Sequence, residues 1–178
     1  PIEMDKVRTF QTFLWKDMPG ALLPTNEDGS SYYSEEALDV FRLSSKSHWD
    51  LPLLVVDDDG RERRRETVVH FLVSHPTPPV FDGPEDRNGK RNHDEIRFWA
   101  DYIDGATYMY DDNGVFGGMA PPTNRFDTSY FVIAGDLNAD PLDGDSVEGA
   151  VDRLLDHPLV NTETTPSSNG GAAQAILQ

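Results

Sequence analysis

Residues 130–141 read Tyr130-Phe131-Val132-Ile133-Ala134-Gly135-Asp136-Leu137-Asn138-Ala139-Asp140-Pro141. The first five, aromatic, β-branched or small and apolar, predict a short buried strand that runs straight into a glycine. Beyond Gly135, Asp136 and Asn138 lie two apart. Alternate side chains of an extended segment point the same way, so a carboxylate and an amide project together from a sheet edge. Such a pair suits a hard divalent cation or a phosphate oxygen: the carboxylate holds metal or orients water, and the amide donates to a phosphoryl group. Gly135 lets the backbone turn where a side chain would clash. Asp140 either adds negative charge or opens the Asp-Pro turn. The plainer reading of Asp136 and Asn138 is an Asx turn after a strand.

Working outward, Thr67–Ser74 is nearly all apolar and β-branched, and predicts a strand buried on both faces. It ends at His75-Pro76. Leu51–Val56 predicts its hairpin partner, with Asp57–Arg61 as the turn and Asp-Gly as its signal. A further strand is expected over Val40–Ser44. Residues 19–36, 76–91 and 104–129 read as loops. Asp94–Tyr102 predicts a helix, with Ile96, Trp99, Ala100 and Ile103 on one face. Ser146 is positioned to cap a second helix, reaching about Asp156, with Val147, Val151, Leu154 and Leu155 inward. Residues 1–18 fit a helix or a structured loop, with Phe10, Phe13, Leu14 and Met18 at helical spacing. From Thr162 onward the chain is Ser/Thr/Gly-rich and loop-like. The expected layout is mixed α/β with a largely buried sheet.

The length of 178 residues fits one domain spanning 1–178. With 32 acidic and 15 basic residues the formal charge is −17, which disfavours tight, sequence-independent nucleic-acid binding and favours a site that gathers divalent cations. The acidity suits a secreted or cell-envelope setting, with a cytoplasmic one left open. There is no cysteine, so disulfides, thiol chemistry and Cys-based metal sites are excluded. No apolar run nears the ~20 residues of a membrane-spanning helix. The first residue is Pro rather than Met, so the chain is expected to begin inside a longer reading frame.

An apolar strand followed by Gly-Asp-Leu-Asn-x-x-Pro resembles the signature of the endonuclease/exonuclease/phosphatase superfamily, the deoxyribonuclease-like phosphoesterases. The upstream strand Val68–Ser74 ending in His75, and the helix opening at Arg91-Asn92-His93-Asp94-Glu95, are similar to further parts of that family. The resemblance covers roughly residues 40–160 and is closest to a bacterial branch with the local sequence HPTPPVFDGPEDRNG. It implies a two-sheet β-sandwich flanked by helices, a deoxyribonuclease-like four-layer sandwich, incomplete in this chain. It also implies Mg²⁺ or Mn²⁺, with Ca²⁺ as a further option, and in-line attack of water on a phosphoester or phosphodiester. His75 would contact the scissile phosphate, Asp136 would orient or deprotonate the water, and Asn138 would hold phosphate or metal; Asp136 and Asn138 are thus the metal candidates. The family's N-terminal Asn and Glu ligands would precede Pro1 and its Ser-Asp-His would follow Gln178. Its acidic residue before a proline, which orients the central His, should fall near Ser47–Pro52, where Asp50 is one position out of register.

Asn92 and Asp94 are candidate phosphate or substrate contacts; the alternative is that one of them caps the helix. His70 reads as a core or surface residue rather than a ligand. Asp57-Asp58-Asp59 is a solvated turn rather than a calcium loop. Arg61, Arg63, Arg64 and Arg65 form the dense basic cluster, an exposed hairpin tip or a phosphate-facing patch. Trp15, Trp49 and Trp99 are expected in core or interface. The charge favours a small phosphoester, lipid or nucleotide substrate. Competing expectations are a nuclease on DNA or RNA, with a groove built from Arg61–Arg65, Lys90 and Arg91, and an inactive binding domain that keeps the sandwich.

Overall fold

The computed structural model describes residues 1–57, 65–119, 130–165 and 168–176. In chain order the elements are β1 (Arg8–Thr9), α1 (Glu35–Leu38), β2 (His48–Asp57), β3 (Arg65–Ser74), α2 (Arg87–Ile103), β4 (Tyr130–Ala134), α3 (Asp152–Leu155) and α4 (Asn169–Ala175). The strands form one four-stranded mixed sheet in the order β1-β2-β3-β4. β1 and β3 flank β2 antiparallel, and β4 joins β3 in parallel, with Val73 opposite Ala134. This parallel pairing carries the C-terminal ends of β3 and β4 to the same edge of the sheet.

The strands expected over Leu51–Val56 and Thr67–Ser74 are present, as is the apolar strand before Gly135. β2 and β3 are longer than expected and pair through Asp57 and Arg65. The Asp-Gly turn itself, with Arg61, Arg63 and Arg64, lies outside the described residues. Val40–Ser44 forms no strand: Arg42 makes one bridge to Leu14, while Leu43 N donates to Phe13 O and Trp15 N donates to Phe41 O. Those bonds commit the N-terminal segment to an extended path. Residues 1–18 accordingly hold β1 and two 3₁₀ turns rather than a helix. Phe10, Phe13, Trp15 and Met18 are nonetheless all buried.

α2 starts seven residues before the expected Asp94, because Asp82 supplies the N-terminal acceptor, taking Asn88 N and Gly89 N at 3.0 and 3.1 Å. Asn92 and Asp94 therefore sit inside the helix and cap nothing. One side of α2 lies on the sheet, where Trp99 Nε1 donates to Ser74 Oγ at 2.8 Å over buried Leu72. Its other side takes the N-terminal aromatics: the Phe98 ring lies 5.1 Å from Phe10 and 5.6 Å from Phe13, edge to face. A helix covered on two sides explains why polar Asn92, Asp94 and Glu95 are fully buried in it. The expected helix from Ser146 is reduced to α3, with Leu154 buried and Leu155 outside. α4 lies in the stretch read as loop, its Ser168 hydroxyl accepting from Gly171 N.

β3 is not buried on both faces, and β4, expected as a buried strand, has no fully buried residue, so the sheet is open on one side rather than largely buried. Leu72 and Ser74 face α2, whereas the opposite face carries Trp49 (45% exposed), Val55, Tyr130 (53%) and Val132. Among the described residues no second sheet covers it. Trp15 and Trp99 are core residues; Trp49 is on this open face.

His48 is buried between Ser44 Oγ (2.9 Å) and the Glu95 carbonyl (2.8 Å). Burial pushes its pKa below the ordinary value. A buried neutral imidazole must take up a proton on unfolding, so stability is full above about pH 6.5 and falls as pH drops below it. We predict that urea midpoints decline between pH 7 and 5, and that His48→Gln flattens part of that decline. Phe98→Ala should cost about 3–5 kcal/mol, seen as a lower urea midpoint at unchanged slope.

Candidate functional site

The edge where β3 and β4 end together gathers the candidate residues. Gly135 has φ +138°, and a Cβ there would lie 1.9 Å from the Ser74 carbonyl oxygen. Only glycine allows the two strand ends to approach so closely. Immediately beyond, His75 Nε2 lies 3.9 Å from Asp136 Oδ2, with side chains 50% and 68% exposed. An imidazole and a carboxylate at that spacing, both open to solvent, can share a proton, a water or a phosphate oxygen.

Asp136 Oδ1 accepts from Asn138 N at 3.0 Å, the Asx turn that the sequence offers as the plainer reading. That turn occupies Oδ1 and leaves Oδ2 toward His75. Asn138 adopts φ +51°, a conformation asparagine tolerates better than most residues. Its Nδ2 donates to Pro76 O at 3.1 Å, tying the loop after β4 to the loop after β3. Asp140 accepts from Leu142 N and Asp143 N, so it shapes the turn. A cavity of about 470 Å³ opens beside His75, lined by Gln11, Lys46, Ser47, Trp49 and Val73.

The edge is held from beneath by α2. Asn92 Nδ2 donates to Thr77 O and Leu137 O, each at 2.9 Å. Glu95, one turn on, accepts from Thr77 N at 2.5 Å and Ser45 N at 2.7 Å. Asn92 thus touches both loops while having no exposed surface, and acts on the edge through backbone. Asp94, also without exposed surface, accepts from Trp15 Nε1 at 2.6 Å, Leu22 N at 2.7 Å and His93 Nδ1 at 3.0 Å. It fastens the N-terminal segment and is not brought to the edge. Residue type alone does not mark Glu95 as part of this support; its i, i+3 relation to Asn92 on one helix face is the signal that pairs them.

Asp50 does not meet His75. Its carboxylate lies 2.8 Å from His70 Nδ1 and accepts the Tyr102 hydroxyl at 2.6 Å. Of the basic residues considered for a nucleic-acid groove, Lys90 donates to Glu85 O and Arg91 to Leu43 O and Arg42 O. Those two are engaged in the protein's own backbone.

Among the described residues no three His, Cys, Asp or Glu side chains converge as a metal cage. One open carboxylate still fits a magnesium-type ion, which is held through one or two carboxylates with waters and phosphate oxygens completing the shell.

Gly135→Ala should separate the strand ends and destabilise the fold by about 2 kcal/mol or more. Thermal unfolding and the Ser74 and Gly135 amide signals check this. Comparison with known proteins finds no matching family model, no matching curated protein and no matching solved structure.

Proposed function

We propose that this chain supplies His75, Asp136 and Asn138 to a divalent-metal-dependent phosphoesterase centre, one that hydrolyses a phosphoester or phosphodiester by in-line attack of water. The observation that carries the reading is their convergence: two sequence-distant segments reach one open edge through the parallel β3–β4 pairing, His75 and Asp136 lying 3.9 Å apart. It agrees with the resemblance of this strand-end pattern to the endonuclease/exonuclease/phosphatase superfamily.

In this reading Asp136 Oδ2 orients the attacking water and takes its proton, being the oxygen not committed to the Asx turn. His75 donates to a non-bridging phosphate oxygen as charge develops there. Asn138 keeps the loop in place through Pro76 and offers its Oδ1 to the same region. Mg²⁺ or Mn²⁺ bound at Asp136 would neutralise phosphate charge. The two-sheet sandwich belongs to the same proposal and is supported by the exposed apolar side chains Trp49, Val55, Tyr130 and Val132 on one face of the sheet. Small phosphoesters, lipids or nucleotides are favoured over polymeric nucleic acid by the charge of −17.

The test is hydrolysis of bis-p-nitrophenyl phosphate by the protein with Mg²⁺ or Mn²⁺. Asp136→Ala and His75→Ala should each lower kcat/KM by about 10²–10⁴-fold, with folding verified by circular dichroism. Activity that survives Asp136→Ala would sink the assignment; no activity at all would leave the inactive binding domain as the better reading.

A further inference from the structure

On the α2 side of the sheet lies a second cluster, independent of that edge. Asp50 on β2 is 1% exposed. His70 Nδ1 lies 2.8 Å from both of its carboxylate oxygens, and the Tyr102 hydroxyl donates to Oδ2 at 2.6 Å. Burial, and then the neighbouring Asp50 charge, raise the Tyr102 pKa far above its ordinary value, so that hydroxyl stays protonated and keeps donating. With a carboxylate on Nδ1, the neutral His70 ring carries its proton there and its lone pair on Nε2.

Nε2 hydrogen-bonds no atom of the described residues, and the His70 side chain is 21% exposed. It lines a cavity of about 470 Å³ whose apolar wall is Pro52, Val68, Val115, Phe116 and Met119. A purely structural cross-strand link to Asp50 needs only Nδ1. With Nδ1 held by Asp50, the outer nitrogen is left as an acceptor that the fold does not use.

The wall's cations are already paired. Lys6 binds Glu3 at 2.9 Å. Arg8 binds Asp111 at 2.8 Å and the carbonyls of Gly117 and Val115 at 2.7 and 2.9 Å. An anionic ligand would meet Glu3 and Asp50 without a free counter-charge among these residues. What the cavity offers is one acceptor nitrogen beside an apolar wall that includes an aromatic ring.

We propose that this cavity binds a small phenolic ligand whose hydroxyl donates to His70 Nε2. The site is separate from His75, which lies just past the end of β3 and lines a different cavity with Trp49 and Val73.

The probe is 4-methylphenol, titrated into the protein at about pH 8, where a phenol and an ordinary imidazole are both uncharged. The expected result is a saturable change in the probe's ultraviolet absorption together with a shift of the His70 ring ¹⁵N signals. His70→Gln should weaken binding at least about tenfold. Phe116→Ala, at a residue 68% exposed and so tolerated by the fold, should weaken it several-fold. Absence of saturable binding, binding unchanged in both variants, or displacement by benzoate as readily as by phenol each overturns the proposal.

Discussion

The parallel pairing of β3 with β4 is the constraint on which the rest depends. Antiparallel neighbours would send Ser74 and Ala134 to opposite edges, and His75 and Asp136 could not meet. Parallel pairing demands a long crossover, and a helix is the usual way to bring the chain back across the sheet. Here that crossover contains α2, so the helix that closes the topology also lies under the edge the topology creates. Gly135 is the local cost of the arrangement: the Ser74 carbonyl occupies the space any β-carbon would need.

α2 supports the edge with polar groups where a core helix normally presents apolar ones. Asn92 and Glu95 are fully buried and hydrogen-bonded to backbone on either side of Thr77. Buried polar groups are expensive unless paired, and pairing them to backbone fixes a loop more sharply than apolar packing does. Asp94 does the same for the segment around Trp15 and Leu22. Three carboxyl or amide residues within one turn thus hold loops on different sides of the same helix.

Sequence patterning revealed those features that depend on local periodicity. The β-branched run gave β3 and its hairpin partner β2, the apolar pentapeptide gave β4, and the strand-end glycine with Asp136 and Asn138 located the edge. The helical pattern found the second half of α2 but missed its first turns, because Asn88, Gly89 and Lys90 present no apolar stripe and the helix begins on a distant acceptor, Asp82. Val40–Ser44 alternates like a strand yet pairs only through single backbone bonds to residues 13–15. Strand propensity cannot say whether a partner is present. The same limit applies to Asn92 and Asp94. Their residue types suggested ligands, but Asn92 bonds the loops at Thr77 and Leu137, and Asp94 bonds the segment around Trp15 and Leu22 folded over the helix.

The sheet's two faces carry different chemistry, and this separates the two histidines of β3 and its end. His70 projects toward α2, where Asp50 and Tyr102 fix its tautomer in a partly enclosed cavity. His75 emerges just past the strand, in water, with Asp136 near but not bonded. An imidazole held by a buried carboxylate is committed to one tautomer before any ligand arrives. One 3.9 Å from an exposed carboxylate stays free to reorient toward a charged group such as a phosphate. Enclosure and tautomer control suit recognition of a neutral hydroxyl, and openness suits an anion carrying its own solvated cation. Along β3 and the residue just past its end, the alternation of side chains is enough to assign these opposite environments to residues of the same type.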